Sequence, residues 1–479
     1  LPNTALLSGT LKDQQFRQVH VFGITAWGID NLTVSNCALT FAQNQCVITV
    51  TNNLCVVTNG IFGLGSYSRG TNYTMRCGGS VILTNGGSFH IYSGMTNSAV
   101  TNYGAYMGVT NTLAIAPGSW LYTYAHDSNG GTPKIKAGAV TIAAGAGIMA
   151  DARGYAAAQG PGTRPAWGLY NGGGGYGGRG GSGTDPLVGG LAYGSPDQPI
   201  NPGSGGAGHS AHYLGAGPGG GAIRLEVVNA LTIRGTVSAN GGSSYSPYGG
   251  GGSGGGIYLK CQTLDATGAV VRANGANSYG AAYGGSGGGG RIAVDYQTTS
   301  ANKDTRFSTS PGAIGWAYAD RDTRWRHMPG IGSLSLPDTA LLRNPLTDRF
   351  ADDVCLYFTR TSRWGVASLT VTNCTVSFAE SGFRMHVTND LVIGANGEFG
   401  MGGDPAGTGY VLSSAGNILL TNSGTMVVYS GITNAATASW GALVAVTNSF
   451  IVSPGSWVYP ASHESNGGSP MFRMSNLHV

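Results

Sequence analysis

Apolar and polar residues alternate along this chain in short runs, and each run is closed by Asn, Gly or Pro. LTVSNCALTF from Leu32, CVITVTNNLCVV from Cys46, SVILTNGGSFHIY from Ser80 and MGVTNTLAIAPGSW from Met107 all have this form. A period of two marks a strand with one buried face, and the Asn, Gly and Pro residues supply the corners. No helical period of useful length interrupts them. Short strands separated by sharp corners bury their inward side chains only by stacking on the next pass. The pattern therefore predicts an all-β chain, a parallel β-solenoid of the right-handed β-helix type.

The pattern is written twice. WGIDNLTVSNCALTFA from Trp27 returns as WGVASLTVTNCTVSFA from Trp364, YSGMTN from Tyr92 as YSGITN from Tyr429, and APGSW ending at Trp120 as SPGSW ending at Trp457, each 337 residues later. LPNTALL at Leu1 and LPDTALL at Leu336 are 335 apart, so the connector gained two residues. Four segments follow: 1–132, a Thr/Asn-rich solenoid; 133–297, a Gly-rich solenoid; 298–335, a charged and aromatic junction; and 336–479, a second, incomplete copy of the first. Thr-Asn pairs such as Thr51-Asn52, Thr110-Asn111, Thr388-Asn389 and Thr447-Asn448 predict corners with left-handed Asn and stacked side-chain amides.

Composition changes the picture in the middle segment. The chain holds 84 Gly in 479 residues, and only 10% of its residues are charged. Gly triplets beginning at Gly219, Gly254 and Gly288 each precede a strand pattern, at the spacing of a solenoid. The runs between passes are expected to pack on one another as extended, polyproline-II-like segments, covered by Tyr176, Tyr193, Tyr245, Tyr248 and Tyr283. Mobile loops are the competing expectation.

The run from KIKAGAVTIAAGAGIMADARGY through GGGYGGRGG, GGGAIRL, SANGG and GGGIYL to GGSGGGGRIAVDY resembles the glycine-rich β-strand repeats of very large secreted surface proteins of environmental bacteria. That resemblance covers about Lys134 to Tyr296. It implies an extracellular or cell-surface location and a structural or adhesive role, and it carries over no catalytic residue.

Net charge of +4 is spread thinly, without a basic run interleaved with aromatics, so nucleic acid is not an expected partner. No apolar run is long enough to span a bilayer. The first residue, Leu1, and the stop within a strand pass at SNLHV read as a piece of something longer. Seven Cys residues fit no disulfide or metal framework. Cys46 and Cys55 face Phe383 and Val392 across the repeat and are expected to be core residues.

Candidate chemistry centres on HDSNGGTP from His126 and HESNGGSP from His463. A His beside a carboxylate suits a base or half a metal site. Adjacent strand residues point to opposite faces, however, and Asn-Gly-Gly marks a turn. His126, Asp127, Asn129, Gly130, His463, Glu464, Asn466 and Gly467 are therefore expected to form a structural turn used twice.

His209 and His212 lack a third ligand and read as loop residues. Asp151, Arg153, Asp185 and Arg179 are the nearest approach to a polysaccharide-cleaving carboxylate site, without the paired acids such a site needs. Trp27, Trp120, Trp364 and Trp457 are expected to pack between coils. Trp316, Asp320, Arg321, Asp322, Arg324 and Trp325 form a candidate assembly junction. No catalytic residue, metal or cofactor is assigned, and the expectation is a non-enzyme.

The first functional expectation is a structural repeat protein that builds a filament, stalk or surface fibre by end-to-end stacking, with itself as partner. A surface adhesin binding glycans is the alternative, and a polysaccharide-active β-helix enzyme the third.

Overall fold

The computed structural model describes residues 7, 9–12, 18–21, 23–65, 70, 72–96, 102–164, 171–183, 189–208, 215–279, 284–300, 304–313, 328–348, 350–403, 406–433, 440–463 and 466–479. Among them every strand pairing is parallel, as a solenoid requires. The chain divides into two compact units: 1–305 with 309–332, and 306–308 with 333–479.

A coil of the first unit has three strands, as in Val47–Val50, Leu54–Val57 and Ile61–Leu64. Their burial alternates, so one side chain in two points inward and meets its register partner in the next coil. On the first face this gives the ladder Ile48, Met75, Met107, Ile135, Leu225, Leu259 and Val294. Each of these is at most 3% exposed. Burial of one such side chain contributes about 1.5–3 kcal/mol, so the stack of coils, rather than any single strand, holds the fold. On the third face Phe62 and Phe89 meet edge to face at 4.9 Å.

The second unit repeats this coil for coil. Ala26–Ile29, Leu32–Ser35 and Ala38–Phe41 correspond to Arg363–Val366, Leu369–Thr372 and Thr375–Phe378, all at the 337 offset. The correspondence runs on to Ala105–Ile115 against Ala442–Val452, and to Trp120–Tyr124 against Trp457–Ala461.

The corners correct the sequence reading in detail. At the corner entering the third face the left-handed Asn residues are Asn36, Asn59 and Asn85 in the first unit and Asn373, Asn396 and Asn422 in the second, and Asn72, just before Tyr73–Cys77, is left-handed too. Asn52, Asn111, Asn389 and Asn448 have no positive φ. At their corner the main chain carries the ladder: Asn52 N–H donates to Asp30 O at 2.7 Å and Gly79 N–H to Asn52 O at 2.7 Å. The side-chain ladder sits one residue later, where Asn53 Oδ1 accepts Ser80 N–H at 2.8 Å and Asp390 Oδ1 accepts Asn417 N–H at 2.7 Å. An extended corner already aims its backbone groups along the solenoid axis, so the side-chain oxygen of the next residue, an amide at Asn53 and a carboxylate at Asp390, is the one left to span coils.

Between Gly147–Met149 and Ala222–Val227 the described residues leave the coil and join the later Gly runs in a bundle, with no strand among them. Its hydrogen bonds have a period of three. Gly250 and Ser253 donate to Ala207 and Ser204, Gly251 and Gly254 to Gly285 and Gly288, and Gly252 and Gly255 to Gly242 and Ala239. A left-handed helix with three residues per turn turns each successive N–H a third of a revolution, toward a different neighbour. The run from Gly250 to Gly255 is thus a polyproline-II-like segment of the bundle bonded on three sides.

Gly is required there by close approach. A Cβ on Gly252 would lie 1.9 Å from Pro218 O, one on Gly255 1.8 Å from Gly221 O, and one on Gly287 1.9 Å from Gly252 O. Ordered packing thus prevails over mobile loops throughout these described runs. Tyr176 is fully buried in the bundle and Tyr193 packs on it at 4.8 Å, whereas Tyr245 is 66% exposed and covers nothing. Tyr283 lies outside the described residues.

No cysteine is disulfide-bonded. Cys46 is buried as expected, but Cys55 stands on the outward side of Leu54–Val57 and is half-buried. A small side chain is tolerated on either face, so the Val392 counterpart did not settle its direction.

Candidate functional site

The twice-written His motif is one turn built twice. His126 N–H donates to Gly131 O at 2.8 Å, Gly130 N–H returns to His126 O at 3.0 Å, and His126 Nδ1 accepts Asn129 N–H at 3.1 Å. In the second unit His463 N–H donates to Gly468 O at 2.8 Å, Gly467 N–H to His463 O at 3.0 Å, and Nδ1 accepts Asn466 N–H at 3.0 Å. Gly130 and Gly467 have φ of 75° and 73°, a conformation that favours Gly at the fifth residue of the turn.

The sequence argument for this turn needs correction on one point. His126 and Asp127 lie in a turn and not on a strand, so their side chains do not diverge; Nδ1 and Oδ1 are 3.7 Å apart. His126 Nδ1 is directed at the Asn129 N–H, so the ring serves the turn itself. Glu464 lies outside the described residues.

The other candidates are dispersed. Asp151 Oδ1 accepts Asn240 N–H at 2.7 Å and Arg153 donates to Asp151 O at 3.1 Å, so both serve the corner of a coil. Arg179 is exposed, and its carbonyl accepts Gly330 N–H. Asp185, His209, His212 and the proposed junction residues Trp316, Asp320, Arg321, Asp322, Arg324 and Trp325 lie outside the described residues. Among the described residues no three His, Cys, Asp or Glu side chains are grouped to hold a metal, and no helix is long and apolar enough to cross a membrane.

Arg153 instead completes an aromatic cluster on the third face. Its guanidinium lies 4.8 Å from the ring centres of both Tyr122 and Tyr124, and Tyr124 stacks on Tyr92 at 4.2 Å. His90 Nδ1 lies 3.1 Å from the Tyr124 hydroxyl. Burial, and then the charge of Arg153, lowers the His90 pKa to about 4. A neutral imidazole fits a packing role.

The tryptophans divide. Trp364 is buried and stacks on Phe378 at 5.7 Å, and Trp27 stacks on Phe41 at 5.0 Å. Trp120 is half-buried, and Gly147 of the next coil pairs with it in register. Its counterpart Trp457 is 60% exposed and borders an apolar cavity of about 600 Å³ with Phe450, Val458, Pro460, Phe472 and Leu477; the position equivalent to Gly147 falls past Val479, so its packing is not tested. Sequence reasoning missed a groove at the first corner of the coil, present in both units. Comparison with family models, curated proteins and solved structures finds no match for the chain.

Proposed function

We propose that this is a structural protein of the cell surface, a rod built by end-to-end stacking of solenoid units, without catalysis. The observation that carries this reading is that one coil geometry serves both units: the described strand pairings are parallel and in register, and the strands of the second unit stand at the 337 offset from those of the first. Within the first unit coil follows coil without a break in register, as where Trp120 and Leu121 meet Gly147 and Ile148 and Leu121 is fully buried. The extracellular location rests on the glycine-rich resemblance, and the bonded Gly lattice suits a stiff rod.

Electron microscopy of native material, together with intact-mass measurement, tests the reading. Filaments from a chain of 48.7 kDa mean that separate copies stack, and a much larger mass means that units are joined in tandem. Discrete monomers of the native protein at high concentration would overturn the proposal.

A further inference from the structure

The groove at the first corner has the same construction in both units. Thr49, Arg76, Gly108 and Lys136 are successive outward register partners on four coils. At the 337 offset stand His386, Ser413, Ala445 and Arg473, again successive partners. The third position is small in both, and in the first unit the Tyr106 ring lies over it, 3.0 Å from where a Cβ on Gly108 would stand. A bulge follows in each, between Val109 and Thr112 and between Val446 and Ser449. The grooves enclose about 510 and 360 Å³.

The chemistry of the walls is consistent. Neither groove has an acidic residue in its lining. Arg76, Lys136 and Arg473 are exposed, and among the described residues no carboxylate is paired with them. Glu226, the nearest acid in this ladder, is already held by Lys134 at 2.8 Å and Arg224 at 2.9 Å. Arg76 lies 5.6 Å from the ring centre of Tyr106, which offers a flat apolar face in the first groove. Thr51 and Thr110 add hydroxyls.

Coil spacing sets the dimensions. Strands in register are about 4.8 Å apart, so Arg76 and Lys136 sit about 10 Å apart along the axis and the groove runs for about 14 Å. We propose that these paired grooves bind a linear acidic polysaccharide, its carboxylate or sulfate groups on Arg76 and Lys136 in one unit and on His386 and Arg473 in the other. The Tyr106 ring in the first groove and the hydroxyls in both suit a sugar chain. Nucleic acid draws on many phosphate contacts and successive stacking rings, and the few basic side chains of each groove supply neither. The proposal adds a ligand to the rod and stands independently of how rods assemble.

The test is calorimetric titration of the whole chain with an oligogalacturonate and with a sulfated galactan oligosaccharide. A neutral gluco-oligosaccharide, inorganic sulfate and single-stranded DNA serve as controls. We expect two sites per chain for one or both acidic oligosaccharides. Arg76→Glu with Lys136→Glu should leave one site, as should His386→Glu with Arg473→Glu, and all four together should lower affinity at least tenfold with unchanged thermal unfolding. Preference between the two acidic probes assigns the anion as carboxylate or sulfate. Absence of binding to both, equal affinity for the neutral chain or free sulfate, tighter binding of DNA, or binding unmoved in the fourfold variant would overturn the proposal.

Discussion

Asn129 holds Thr96 across one coil: its Oδ1 accepts the Thr96 N–H at 2.7 Å and the Thr96 hydroxyl at 3.1 Å. Asn466 holds Thr433 in the same way, with both distances 2.7 Å. The motif therefore joins a turn to the preceding coil, and Asn129→Ala should destabilise the first unit by about 1–2 kcal/mol, the worth of two net hydrogen bonds. Hydrogen exchange at the Thr96 amide should accelerate in that variant, while Asp127→Asn leaves it unchanged.

The Gly lattice makes a sharper prediction. Gly252→Ala places a methyl group 1.9 Å from Pro218 O, between runs bonded to others on every side. Overpacking of this kind costs about 1–3 kcal/mol or more, because no neighbour can yield alone. Gly365→Ala, with nothing within 4 Å and no positive φ, should change stability by less than about 0.5 kcal/mol. Denaturant unfolding of the two variants checks the contrast.

His90 gives the first unit an acid sensitivity. Its folded pKa, lowered to about 4 by burial and then by Arg153, lies below the ordinary value of 6.5, so the unfolded chain takes up the proton first. The stability contributed by the neutral ring is complete above about pH 6.5 and declines as pH falls from there toward about 4. His90→Gln should flatten the loss of unfolding midpoint over that window. The second unit has Val427 at the equivalent position and lacks this group.

Thiol reactivity should follow burial. Burial raises the pKa of Cys46 to about 11 and of Cys261 and Cys374 to about 12, so few thiolates form at these sites near pH 8. Cys55, outward and half-buried, should be alkylated at least tenfold faster in the native protein. Peptide mapping after brief treatment with iodoacetamide reads the order directly.

Much of this was legible in the residues. Alternation such as Leu32, Val34 inward and Thr33, Ser35 outward fixes a strand with one buried face, and the fixed 337 offset makes one solution serve twice. The His126 turn was readable because Asn-Gly-Gly-x-Pro carries its own backbone preferences. Periodicity also announced the Gly runs, since nothing else explains triplets spaced like coils.

What the sequence determined by itself is thus local: strand period, corner chemistry, the repeat, and the requirement that coils stack. Tertiary structure decided everything that depends on which residue lies one coil away. That includes which Asn turns left-handed, which side-chain oxygen spans coils, and that three neighbouring runs surround the run from Gly250 to Gly255. It also decided that Arg76, Gly108 and Lys136, far apart in the chain, line one groove. The physical reason is register: the pairing of coils joins residues through intervals of varying length, and no local pattern states that interval.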